Sequence, residues 1–327
     1  MVHLFDLPHA EARKLLETGA PVYLTVNPVE YHGPHLSLHN DRLVSHGLIG
    51  DLHARLARRH PDWPLILGAD LEVGVGATSG RGTRHSSYSL TRTLVGEACR
   101  ALAELGARRV VLMTFHGDPL HGLALDYGIR LLAARGVYAV GPFPLLSQQL
   151  VVGLDSVPLQ AFAHVADEAE RQAMVHDRQR DFHAGFFETS LALLYAPDSV
   201  APAYVDLPPC PPFSPDRLLL AAARGARACG FGALAAELDF AATAAGWFRL
   251  SPFPGYSGRP HRATRDSGRV IADLLLDLFE PAVEAVLTGK TRPPLPIMRW
   301  LPYVTLGGRL GGMRVSPQHM EGIDAVR

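Results

Sequence analysis

The chain has 327 residues, 47% of them apolar, with 31 basic against 32 acidic side chains and a formal charge of −1. That supports one large core or one domain with long insertions, and no basic face or arginine run argues for nucleic acid. No apolar run reaches the ~18–20 residues that cross a bilayer, and the scattered Cys99, Cys210 and Cys229 form neither a CxxC pair nor a disulfide framework.

In chain order, the start, Met1 to Asp6, lacks the basic-then-apolar order of a signal peptide. With the cysteine pattern, this gives a cytoplasmic expectation. Residues 21–26 read as the first strand. Residues 43–59 read as an amphipathic helix with Leu43, Leu48, Leu52 and Leu56 on one face. A short strand over 63–68 and a helix over 89–105, stopped by Gly106, follow. Residues 109–115 form the clearest buried strand. A helix over 120–134 and a short strand over 137–140 complete a β/α alternation that predicts an α/β layer fold with a mainly parallel sheet. Downstream, 158–177 and 188–195 read as helices and 197–215 as a proline-rich ordered excursion or inter-subunit arm. Residues 217–246 read as one or two alanine-rich helices, 255–268 as a glycine-bearing loop and 270–287 as a strong helix. From Lys290 the tail reads as an extended strap.

Three segments carry chemistry. The first is Val29-Glu30-Tyr31-His32-Gly33-Pro34-His35-Leu36-Ser37-Leu38-His39-Asn40-Asp41, which gathers carboxylates and imidazoles after the first strand. If that strand runs on, Glu30 and His32 leave the same face. Gly33-Pro34 then turns the chain so that Asp41 returns towards them. Such a set suits zinc, manganese or iron. The plainer reading is a solvated Glu-x-His pair, with Asp41 capping the next helix. The second segment is Met113-Thr114-Phe115-His116-Gly117-Asp118-Pro119 at the end of the best strand, where open parallel sheets place their ligands. The third is Asp181-Phe182-His183-Ala184-Gly185-Phe186-Phe187-Glu188-Thr189-Ser190. Here a helix entry, with Thr189 or Ser190 as cap and Glu188 complementing the dipole, competes with a ligand role.

Together these segments resemble the creatininase, or creatinine amidohydrolase, family. Glu30-Tyr31-His32-Gly33-Pro34-His35-Leu36 with Asp41 is similar to its Glu-x-His-Gly-Pro-His-Leu signature and following Asp. Thr114 to Asp118 stands at its His block. His183-Ala184-Gly185-Phe186-Phe187-Glu188-Thr189-Ser190 is similar to its His-Ala-Gly-x-x-Glu-Thr-Ser block. Gly255-Tyr256-Ser257-Gly258-Arg259-Pro260, with Ala263-Thr264 and Gly268, is similar to its late Gly-x-x-Gly-x-Pro block. The resemblance implies a single three-layer creatininase-like domain over 1–327, with the excursion and the extension from about 290 as candidates for contacts in a homo-oligomer, commonly a hexamer.

It further implies a binuclear metal amidohydrolase acting on a small cyclic or linear amide. Two divalent ions (zinc, manganese or iron) about 3.5–4 Å apart would bridge a hydroxide that attacks the amide carbonyl. Glu30, Asp41 and His116 would hold one ion. His32 and Asp41 would hold the other, with Asp41 bridging and either Asp118 or Glu188 completing the set. His183 would be the catalytic imidazole, transferring a proton or stabilising the oxyanion. Ser79, beside Thr78, would contact substrate. The flanks depart from the family: Pro28-Val29 precedes Glu30, and 78–88, with Arg81, Arg84 and His85, replaces a His-x-x-Phe-Pro-Gly-Thr block. The ligand set is intact while the substrate wall is rewritten, which argues against creatinine itself. A peptidase or deformylase in a biosynthetic pathway, or a non-catalytic metal-binding homologue, are the alternatives.

Overall fold

A computed structural model describes residues 1–152 and 159–310. Its strands are β1 (Val2–His3), β2 (Val22–Val26), β3 (Ile66–Leu71), β4 (Arg109–Met113) and β5 (Tyr138–Val140). They form one sheet in the order β1-β3-β2-β4-β5, with every pairing parallel. The helices are α1 (His9–Leu16), α2 (Asn40–Ala57), α3 (Tyr88–Leu105), α4 (Pro119–Ala133), α5 (Phe143–Val152), α6 (Glu168–Asp177), α7 (Phe186–Tyr195), α8 (Arg217–Ala228), α9 (Gly232–Trp247), α10 (Arg265–Leu287) and the short α11 (Leu301–Val304).

The period-two pleat divides the central strands between two cores. Val22, Leu24 and Val26 of β2, with Val110 and Leu112 of β4, pack on α1, α3 and α4. Tyr23, Val111 and Met113 face the other way, into the core of α2, α7 and α10. This is the expected three-layer α/β architecture. From β3, on one side of β2, the chain crosses to β4 on the other. The order reverses there, so the carboxyl ends of β2 and β4 open a crevice at the switch point of the sheet.

Several boundaries move. β2 ends at Val26, so Glu30 and His32 sit on the following loop, not on one strand face. α2 begins at Asn40, and its buried stripe is Val44, Leu48, Leu52 and Leu56; Leu43 is only half-buried. Residues 159–177 break into a turn, Leu159–Phe162, and α6, because Asp167 accepts the Glu170 N–H and starts a new helix; Pro158 lies outside the described residues. The alanine-rich stretch is two helices, α8 and α9, with Gly230 between them at φ +82°. β1, α1 and α5 were not legible. α1 is amphipathic but only eight residues long, and α5 is apolar on most sides and carries no clear helical period.

Both presumed inter-subunit segments have places on their own chain. In the excursion, Val200 and Leu207 pack with Leu36, Ala192 and Tyr256, and the Ala201 N–H donates to His35 O at 2.8 Å. In the tail, one carboxylate of α9, Glu237, accepts the Met298 N–H (2.7 Å) and the Trp300 indole N–H (2.6 Å). The tail beyond residue 310 lies outside the described residues.

Candidate metal centre

The loop after β2 is shaped by its own backbone. The Glu30 N–H donates to Leu38 O at 2.9 Å, and Gly33 turns the chain at φ +67°, where a side chain would be strained. This brings Asp41 back. Asp41 does not cap α2: His39 holds the cap position, and Asp41 lies buried in the first turn. Its two oxygens face different imidazoles. Oδ1 stands 2.9 Å from His32 Nε2, and Oδ2 stands 3.6 Å from His116 Nδ1. Glu30 Oε2 approaches His116 Nδ1 to 2.7 Å, and Glu30 Oε1 accepts the Thr78 N–H at 2.7 Å.

His116 hangs from the turn after β4. Asn27 fixes that turn: its Oδ1 accepts the Phe115 N–H (2.9 Å) and the hydroxyls of Thr114 (3.1 Å) and Ser45 (3.3 Å). Asn27 follows the first strand and gave no motif signal. Asp118 is the N-cap of α4, accepting the His121 N–H at 3.0 Å, and is not one of the clustered ligand atoms.

Glu188, His32 and His183 do cluster. Glu188 Oε2 stands 3.5 Å from His32 Nε2 and accepts the Ala184 N–H at 2.8 Å. Thr189 and Ser190 do not cap α7, being buried in its body. The cap is Asp181, whose carboxylate accepts the N–H groups of Phe186 (2.9 Å) and Phe187 (3.3 Å). His183 stacks on His32 at 4.5 Å, leans on Trp247 at 5.4 Å and has Nδ1 3.9 Å from Glu30 Oε1.

Three imidazoles commit one nitrogen to a main-chain carbonyl: His32 Nδ1 to Glu30 O (3.1 Å), His116 Nε2 to Val75 O (2.7 Å) and His183 Nε2 to Tyr31 O (2.9 Å). Each N–H donated there leaves the opposite nitrogen free to face the carboxylates. That arrangement orients and tunes metal-binding histidines. Glu30 Oε2 and both oxygens of Asp41 are buried without a hydrogen-bonding partner among the described residues. Buried carboxylate oxygens need a cation or a donor, so the donor set fits divalent cations.

A comparison with protein families matches residues 6–283 to the creatininase family, described as creatinine amidohydrolase. This chain belongs to the creatininase family. Members are hydrolases acting on amides. A curated relative, the mycofactocin precursor peptide peptidase of Mycobacterium ulcerans (strain Agy99), is 27% identical over 144 residues, 41% of this chain. The match spans about half of that relative's length, 54%. Among solved structures, a tryptophan-to-phenylalanine variant of creatininase covers 89% of this chain and 100% of its own at TM-score 0.55 and 21% identity. A manganese creatininase covers 86% and 97% at TM-score 0.52 and 22% identity. At these identities the structures establish the fold.

In this creatininase-family chain the charges are tightly coupled. Burial would raise the Glu30 carboxyl, but the His116 imidazole, with His183 and His32, brings it down to about 2. Burial likewise opposes ionisation of Asp41, and His32 and His116 override it, holding Asp41 well below the usual carboxylate range. Burial disfavours charge on His32, yet Asp41, Glu30 and Glu188 push it up to about 10. Burial raises Glu188 to about 8 and Asp118 to about 6, and lowers His183 to about 4 with help from His32. The site therefore holds carboxylates that stay ionised only beside positive charge.

Above the ligands lies a cavity of about 320 Å³. Glu30, His32, Asp41, His116, Asp118, His183 and Glu188 all reach it. Thr78 lines it and Ser79, though buried, does not. Arg81, Arg84 and His85 are not in its wall; Arg84 pairs with Glu72 at 2.9 Å outside it.

Proposed function

We propose that this chain is a binuclear metal-dependent amidohydrolase that cleaves a C–N bond in an uncharged amide. The observation that carries this reading is the division of Asp41 between two imidazoles, Oδ1 towards His32 and Oδ2 towards His116. In this assignment Glu30, Asp41 and His116 hold one divalent cation, and His32, Asp41 and Glu188 hold the other. Asp118 supports α4 and the cavity wall. Bound cations of the zinc, manganese or iron type would supply Lewis acidity and lower the pKa of a coordinated water.

The remaining steps belong to the chain. His183 donates Nε2–H to Tyr31 O, so Nδ1 is the atom left to exchange a proton with the departing nitrogen. Stacking on His32 and contact with Trp247 fix the ring plane. Thr78 is a more direct substrate contact than Ser79, since its residue lines the cavity.

A peptidase is the second reading, supported by the printed activity of the Mycobacterium ulcerans relative and by the room beside the ligands. A cytoplasmic homo-oligomer working as one domain per chain completes the proposal; light scattering at micromolar concentration, with assembly beyond a monomer expected, tests the assembly. No helix among the described residues is long and apolar enough to cross a membrane.

Elemental analysis of undialysed protein should find up to two divalent ions per chain. Amine release from an amide panel should cease on chelation and return with zinc, manganese or ferrous ion. Metal below a tenth of an equivalent, with no uptake on titration, would end this reading.

A further inference from the structure

The cavity has two unlike ends. One carries the ligands. The other is walled by Phe182, Phe240, Trp247, Phe248, Met298 and Trp300. Among the described residues, no lysine or arginine lines any part of it. Four of these residues come from α9, its immediate end or the approach to α7. Met298 and Trp300 come from the strap after α10, beyond the residues 6–283 matched to the family. Glu237 pins that strap to α9 through the Met298 main chain and the Trp300 indole. Two of the six wall residues therefore lie beyond the family match, and the other four lie within it.

Size and charge restrict what fits. A dry apolar cavity of about 150 Å³ takes benzene, so about 320 Å³ accommodates a phenyl-sized group beside a reacting amide. An anionic substituent in the outer chamber would lose hydration and meet aromatic walls with no cationic side chain among the described residues, which is costly. A small polar amide would leave the chamber unfilled and forgo the apolar contact.

We propose that the outer chamber, formed by α9 and residues 297–301, selects amides bearing a bulky, uncharged apolar group, with an aromatic ring the best match. This deepens the amidohydrolase reading and rests on it for the reacting end. Aromatic walls favour offset or edge-on rings, and each methylene-sized increment of buried substrate adds to discrimination.

A pair of binding probes and three turnover substrates, used on the zinc-loaded full chain, separate the specificity from the hydrolase reading. Binding of 3-phenylpropanohydroxamic acid and acetohydroxamic acid is followed by tryptophan fluorescence; two of the three tryptophans, Trp247 and Trp300, line the chamber. Turnover of 3-phenylpropanamide, acetamide and the anionic succinamic acid is followed by ammonia release. The phenyl hydroxamate should bind about tenfold tighter or more, about 1.4 kcal/mol. Ala244→Trp, which fills the chamber from α9, should remove that preference. Trp300→Ala, which opens the wall, should reduce it and serves if the first variant does not fold. A retained preference that Ala244→Trp or Trp300→Ala abolishes, without turnover of any amide, supports the chamber and sinks the hydrolase reading. Equal binding of the two hydroxamates, or equal turnover of acetamide and 3-phenylpropanamide unchanged by Ala244→Trp, overturns the chamber assignment while leaving hydrolysis intact. Preference for succinamic acid overturns it as well.

Discussion

At the sheet edge, the backbone aims the polar groups: Glu30 through the Thr78 N–H, Glu188 through the Ala184 N–H, and three imidazoles through carbonyls of Glu30, Val75 and Tyr31. At the far end of the same cavity, the wall is aromatic packing from α9 and a strap anchored by the Glu237 carboxylate and by the Gln148 amide, which donates to Leu295 O. The first region is over-determined, since moving any ligand leaves a buried charge without its partner. The second is set by volume and contact, which tolerate change and alter preference by degrees. On the proposed reading, chemistry and specificity are lodged in parts that can be broken separately.

The largest separation is expected from Asp41→Ala. In the proposed assignment both cations would lose a ligand, and His32 and His116 lose the carboxylate between them. Elemental analysis should show most bound metal gone. Turnover should fall by more than about 100-fold, since even disturbing residues that support a ligand costs 10–100-fold. Glu30→Ala or His32→Ala should each weaken mainly one ion. Full metal content and activity in Asp41→Ala would reduce that residue to a helix-start carboxylate and break the contrast between the two ends.

A finer cut lies between Glu188 and Asp118. Glu188→Gln keeps the helix but replaces the carboxyl oxygen 3.5 Å from His32 Nε2 with a neutral amide, so one ion should be lost. Asp118→Asn should keep both, because asparagine also serves as an N-cap and the Asp118 carboxylate is occupied by the His121 N–H. Loss of metal in Asp118→Asn alone would reverse the assignment.

Asn27→Ala tests the support beneath His116. Removing the Oδ1 acceptor strands the Phe115 N–H and the Ser45 hydroxyl, while the Thr114 hydroxyl keeps His121 Nε2 as a partner. Buried groups left unpaired cost about 1–3 kcal/mol. Urea denaturation should show that loss, together with weaker binding of the ion assigned to His116. A stability loss with unchanged affinity for both ions would make Asn27 a fold residue only.

The two ends also differed in how far the sequence reveals them. Glu30, His32 and Asp41 are legible because a short turn can bring them together and their residue types are chemically costly to bury, whereas His116, His183 and Glu188 join them only through the family resemblance. The alternating strands Val22–Val26 and Arg109–Met113 are legible for the same local reason, their length and apolar run. Asp118 is ambiguous in sequence because a helix cap and a ligand use the same carboxylate. Asn27, Asp181 and the strap were not legible. Asn27 acts on Phe115 across 88 positions, and Asp181 caps a helix whose formal cap is Gly185. The strap gains its meaning from Glu237, 61 positions from Met298. Such contacts have no sequence period and exist only once the layers pack.

The smallest expected effect is the most discriminating for the comparison. Glu237 touches neither the ligands nor the sheet; its two oxygens each accept one donor from the strap. Glu237→Gln keeps shape and one acceptor but turns an amide group towards one of those donors. Hydrogen bonds to charged groups are worth about 1.5–3 kcal/mol, and part of that loss should appear as a looser strap rather than as unfolding. Met298 holds a left-handed backbone at φ +51°, which costs a non-glycine residue energy unless its surroundings hold it. Releasing the Met298 N–H therefore favours relaxation of the strap away from α9. The phenyl hydroxamate should then bind several-fold more weakly, with acetohydroxamate binding and metal content unchanged. A uniform loss across both probes would mean that the strap supports the ligand end too. Unchanged binding of the phenyl probe would mean that α9 alone forms the selective wall.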